Sequence, residues 1–126
     1  MNEERIRVII ADDSTEFLDS AIQFFESNSA SGIKIIKTAK NGLEATILTA
    51  LFHPDILLMD IEMAKLNGFE ATEIIKRLIY SPKIIIISIF ASAIHEIKAK
   101  NSGADGFLSK IDFGEKIIPL IKQLTV

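Results

Sequence analysis

The chain has no cysteine among its 126 residues, which excludes disulfides, thiolate metal sites and thiol catalysis. It also has no excess of positive charge: net charge is −3, with 14 Lys and Arg against 17 Asp and Glu. That balance argues against the chain holding nucleic acid or an anionic membrane surface unaided, since both need clustered Lys and Arg. The N-terminus, MNEERIRVII, lacks the basic stretch and apolar segment of a secretory signal. Long apolar runs are missing too. The longest uncharged stretch, Ile84 to Ile94, spans about eleven residues, too short to cross a bilayer. A cytoplasmic location is therefore expected. Internal repeats, low-complexity tracts and Pro/Gly/Ser-rich linkers are absent, and the length suits a single domain over 1–126.

What is present is alternation. Five β-branched or apolar runs read as strands: Arg5–Ala11, Ile33–Ala39, Asp55–Met59, Lys83–Ser88 and Gly106–Ser109. Several are continuously apolar, as suits strands covered on both faces. Five segments between and after them space their apolar residues like one face of a helix: Thr15–Glu26, Gly42–Phe52, Phe69–Leu78, Ser92–Asn101 and Phe113–Leu124. In these the expected inward sets include Phe17, Ala21 and Phe24; Leu43, Ile47, Leu48 and Leu51; Ala71, Ile74, Ile75 and Leu78; Ile94 and Ile97; and Ile117, Leu120, Ile121 and Leu124. Strands joined by crossover helices are parallel, so the pattern predicts a doubly wound α/β fold. Pro119, deep in the last helical pattern, predicts a bend or a late helix start.

Sites in such folds form at the carboxyl ends of the strands. Strand 1 runs into Asp12 and Asp13, strand 3 (ILLM) into Asp60, strand 4 ends at Ser88, and strand 5 runs into Lys110. Converging carboxylates repel one another unless a cation neutralises them. Hard oxygen donors suit Mg²⁺, with Mn²⁺ as a substitute. One carboxylate could then act as a nucleophile towards phosphorus, with Lys110 balancing charge on the transferring group and Ser88 offering a hydroxyl. Each residue also has a plainer reading. Asp13 with Glu16 is close to a helix capping box, Ser88 could simply end a strand, and Lys110 could be solvated. Asp60 is hardest to dismiss, because an apolar strand carries it inwards. His53 and His95 have no partner at ligand spacing and read as solvated.

Four stretches, "VIIADDS", "PDILLMDIEMAKLNGFEA", "IIIISIF" and "GADGFLSK", in this order and spacing, resemble response-regulator receiver domains of two-component signalling across essentially the whole chain. The resemblance implies a flavodoxin-like five-stranded parallel sheet of order 2-1-3-4-5. It implies that Asp60 accepts a phosphoryl group from a sensor histidine kinase or phosphotransfer protein. Asp13 then matches the direct metal-binding acid, Asp12 its water-mediated neighbour, and Glu62 the residue whose backbone carbonyl meets the metal. Ser88 matches the hydroxyl that turns towards the acyl phosphate, Phe107 the aromatic switch that follows it, and Lys110 the phosphoryl-pairing lysine. Phosphorylation is expected to repack the face made by helix 4, strand 5 and helix 5, with a homodimer as one consequence.

Departures from the family pattern are Ala64 for a proline, Asn67 for an Asp, Ile111 after Lys110, and Ile89 where a small residue is usual. Ile89 is expected to slow access to Asp60. The ending "GFLSKIDFGEKIIPLIKQL" is most similar to receivers of LuxR- and NarL-type transcription regulators. Leu18 and Ile22 are expected on a flanking stripe of helix 1 nearer solvent. Ser14, Thr15, Leu18 and Ile111 form the expected kinase-docking patch, and a broad buried face is the competing reading. Alternatives for the whole chain are a stand-alone receiver acting by protein contacts and, from the enzyme class, an aspartyl-nucleophile phosphohydrolase. The favoured reading is no turnover enzyme: it catalyses only its own phosphoryl transfer and slow dephosphorylation.

Overall fold

In the computed structural model, which describes residues 5–126, the strands are β1 (Ile6–Ala11), β2 (Ile33–Ala39), β3 (Ile56–Asp60), β4 (Lys83–Ser88) and β5 (Gly106–Ser109). The first four residues of the acidic N-terminus lie outside the described residues. The helices are α1 (Thr15–Ser27), α2 (Gly42–Phe52), α3 (Gly68–Ile75), α4 (Ala93–Ser102) and α5 (Phe113–Leu124). All strand pairs are parallel and the order is β2-β1-β3-β4-β5. The predicted topology therefore holds.

Strand alternation sorts the core into two layers. Val8, Ile10, Ile56, Leu58, Ile85 and Ile87 pack with Leu18, Ala21 and Phe25 of α1 and Phe113, Ile117 and Ile121 of α5. Ile9, Ala11, Leu57, Met59, Ile84 and Ile86 pack on the other side with Ala45, Ala71, Ile75 and Ala99 of α2, α3 and α4. Each fully buried Ile or Leu contributes about 1.5–3 kcal/mol, which is why the continuously apolar strands sit at the centre.

Several expectations need correction. Strand 3 is shifted by one residue, so Asp60 is its last member and not the residue after it. Asp55 instead receives a hydrogen bond from the Arg7 backbone N–H. Helix 3 stops at Ile75, short of Leu78. Leu18 is not near solvent: it is 3% exposed and belongs to the core, with Phe17 and Ile22 half-buried beside it. In α2 the inward residues are Gly42, Ala45 and Thr49, while Leu43, Ile47 and Leu51 face outwards. In α4 only Ala99 and Ser102 are buried; Ile94 and Ile97 are 65% and 59% exposed. Helix 5 does not start late: it begins at Phe113 and runs through Pro119 to Leu124. Pro119 and Glu115 are both solvent-facing, so water can satisfy the carbonyl that the proline leaves without a donor.

Candidate functional site

The strand order reverses between β1 and β3, and the acids gather there. Asp12 and Asp13 follow β1, and Asp60 ends β3 next to them. Asp60 falls on the same side of its strand as Leu58, facing the α1/α5 layer from which Lys110 enters. Gly68 lets α3 start against this strand end: its N–H bonds to Ile61 O at 2.7 Å, and a Cβ at Gly68 would lie 2.3 Å from Asp60 O. Asn67 caps that helix in a full capping box with Glu70, which accounts for the asparagine at this position.

Asp13 is not a helix cap. Ser14 takes that role, its hydroxyl accepting from Phe17 N–H, and Asp12 Oδ1 accepts from Ser14 N–H at 2.9 Å. That leaves the Asp13 carboxylate exposed and available. One oxygen each from Asp12, Asp13 and Asp60 lie within 4.8 Å of one another. Lys110 Nζ stands 2.6 Å from Asp12 Oδ2 and 3.4 Å from Asp60 Oδ1. Asp12 is fully buried and Asp60 is 8% exposed. Asp60 is pushed up from 3.8 to about 6, first by burial and then by the Asp12 charge; the Lys110 charge and hydrogen bond oppose this, and Asp13 adds a smaller push.

Asp12, Asp13, Ser14, Asp60, Glu62, Ser88 and Lys110 line one cavity of about 170 Å³, with Ile61, Ile89 and Phe90 completing its wall. The cavity of about 280 Å³ beside α1 and β2 is larger, but its lining includes Ile22, Phe25, Ile33 and Ile35, so volume is the poorer guide to chemistry.

Ser88 is buried and engaged locally. Its hydroxyl donates to Phe90 O at 2.9 Å and accepts from Phe90 N–H at 3.1 Å. His95 Nδ1 lies 3.0 Å from the same carbonyl, and its ring neighbours Phe69 at 6.4 Å. His95 is therefore half-buried and bonded, not simply solvated. His53 is exposed and stacks on Tyr80 at 5.1 Å. Phe107 lies on β5, half-buried, outside the acidic cavity and against the α2–α4 layer. Of the expected docking residues, Ser14 is at the rim, Thr15 is exposed, and Ile111 is 87% exposed beside Lys110. Leu18 is a core residue and is withdrawn from that set.

Sequence reading missed Phe17, Phe90 and His95. The Lys110 ammonium sits over the Phe17 ring, 4.3 Å from its centroid. These contacts join residues far apart in the chain or run through backbone carbonyls, neither of which periodicity reveals.

The model of the response regulator receiver domain family matches residues 8–121. The chain belongs to that family. The transcriptional regulatory protein LnrK of Bacillus subtilis is 34% identical over 119 residues, covering 92% of this chain and 52% of LnrK. The receiver thus spans about half the length of that relative. The signal receiver domain of the response regulator NarL from Mycobacterium tuberculosis superposes with a TM-score of 0.90 at 21% identity, covering 98% of each chain, a likeness of fold. The response regulator domain of Thermotoga maritima CheB superposes with a TM-score of 0.86 at 29% identity, covering 96% of each. No helix among the described residues is long and apolar enough to cross a membrane.

Proposed function

We propose that this receiver takes a phosphoryl group onto Asp60 from the phosphohistidine of a sensor kinase or phosphotransfer protein. The observation that carries this is the placement of a nearly buried Asp60 beside two further carboxylates with one ammonium between them. Three carboxylates against one lysine leave the cluster short of positive charge, which a divalent cation would supply. The donor set fits Mg²⁺, or Mn²⁺ in its place: it consists of hard carboxylate oxygens gathered within 4.8 Å of one another. Asp12, Asp13, Asp60 and the Glu62 backbone carbonyl would hold it. When bound, the ion neutralises the carboxylates and the incoming phosphoryl oxygens.

A carboxylate oxygen of Asp60 attacks phosphorus, the bond from phosphorus to the donor imidazole breaks, and an acyl phosphate remains. Lys110 already lies 3.4 Å from Asp60 and would pair with a phosphoryl oxygen. Ser88 would leave Phe90 O and donate to another. Phosphorylation adds about −1.5 to −2 charge and three acceptor oxygens, enough to recruit both groups. The space given up by Ser88 lets Phe107 turn inwards, and α4, β5 and α5 repack together. The exposed Ile94 and Ile97 of α4 would make that face a contact surface for an effector domain, a partner or a second copy. Transcriptional control is the favoured output, supported by similarity to LnrK. The chain turns over no substrate beyond its own phosphoryl transfer and slow phosphate loss.

The test is Mg²⁺-dependent labelling by acetyl phosphate, or beryllofluoride binding, with Asp60→Asn as control. Labelling lost in the variant supports the reading. Continuous release of phosphate from small phosphoesters would favour the aspartyl phosphohydrolase instead.

A further inference from the structure

The ammonium of Lys110 touches two carboxylates and one aromatic face. Asp12 and Asp60 account for the carboxylates, and the face is that of Phe17. That ring is itself fixed. Phe113 meets it edge-on, with centroids 5.3 Å apart at 78°, and Phe113 is buried against Phe24 and Phe25 as well. Lys110 opens the short 3-10 turn that leads into Phe113 at the start of α5, so ammonium and ring belong to one corner of the fold.

Lysine carries its charge on a flexible four-carbon stem, and fixing it costs rotamer entropy. An aromatic face attracts the ammonium without consuming an N–H. All three N–H donors stay free for carboxylate and phosphoryl oxygens.

We propose that Phe17 is a positioning residue for phosphoryl transfer, its ring face holding the Lys110 ammonium in place before charge builds on the transferring group. The proposal rests on the reading of Asp60 as phosphoacceptor. Preplacement matters because a group already oriented needs no reorganisation during the reaction.

The test replaces Phe17 with mono-, di- and trifluorinated phenylalanine, which keep the ring's shape while draining its face of negative potential. With acetyl phosphate and saturating Mg²⁺, the labelling rate of Asp60 should fall stepwise, by about tenfold over the series. In a Lys110→Met background the series should be flat. A flat series with Lys110 intact overturns the proposal, as does an equal slope without it. A second measurement does not depend on phosphorylation. In the NMR spectrum of the unphosphorylated protein, the Lys110 ε-protons should be shifted upfield by the ring, and Phe17→Leu should remove that shift. An unmoved Lys110 signal also overturns the proposal. If the wild type takes no phosphate at all, the Asp60 reading fails, while the ring-current result still decides whether Phe17 holds the ammonium.

Discussion

Lys110 is closer to Asp12 than to Asp60: its Nζ is 2.6 Å from Asp12 Oδ2 and 3.4 Å from Asp60 Oδ1. The lysine is thus a counter-ion of the fully buried acid. A cation meeting Asp12 would release Lys110 towards whatever is attached to Asp60. Asp12→Asn should therefore weaken Mg²⁺ binding by about 10–100-fold, measured by isothermal titration calorimetry. Unchanged affinity would remove Asp12 from the metal site.

The raised Asp60 sets the pH dependence of stability. Between 3.8 and about 6 the native carboxyl holds a proton that the unfolded chain has lost. Folding is favoured by acid, and this contribution disappears as pH rises through that window. At neutral pH the ionised Asp60 costs about 3 kcal/mol. Asp60→Asn should raise Tm at pH 7.5 without Mg²⁺, and the gain should vanish below pH 4. Equal Tm values at both pH values would contradict the assigned burial cost. Mg²⁺ should narrow the difference by stabilising the wild type more than the variant, which keeps Asp12 and Asp13 but has lost one carboxylate ligand.

Ile89 stands at the wall of the acidic cavity with 60% of its surface exposed. Trimming it should widen the path for both phosphodonor and water. Ile89→Ala is expected to speed labelling of Asp60 and the later loss of phosphate severalfold, followed in a single chase experiment. If both rates stay put, Ile89 does not control access.

Core and docking roles on the α1 side now separate. Leu18→Ala should cost about 2–5 kcal/mol in urea unfolding, because Leu18 packs in the core. Ile111→Glu lies on open surface next to Lys110, so it should leave stability alone. It should slow transfer from the kinase and spare labelling by acetyl phosphate. Equal effects on both donors would argue against a docking role for Ile111.

The central strands were legible because burial on both faces leaves no polar residue until the chain exits, as ILLM does at Asp60. The acids, Ser88 and Lys110 follow from that, since a parallel sheet aligns its strand ends. Helix faces were less legible. In α2 and α4 the residues against the sheet are small, Gly42, Ala45 and Ala99, because close packing leaves no room for longer ones. The large residues Leu43, Ile47, Ile94 and Ile97 sit outside, where apolar periodicity alone would have placed the core. In α1 the buried residues are Leu18, Ala21 and Phe25, with Phe17 and Phe24 half-buried against the core, so the buried stripe is offset from the expected one while Ala21 stays within it. Phe17 reaches Lys110 instead, a contact between distant segments that no local pattern encodes.

The most direct test is to incubate the protein with acetyl phosphate and Mg²⁺, then locate any added phosphoryl group by mass spectrometry after trapping the acyl phosphate. The account predicts one phosphoryl group on Asp60, absent without Mg²⁺ and absent in Asp60→Asn. Labelling that persists in Asp60→Asn, or none in the wild type with Mg²⁺ present, would contradict it.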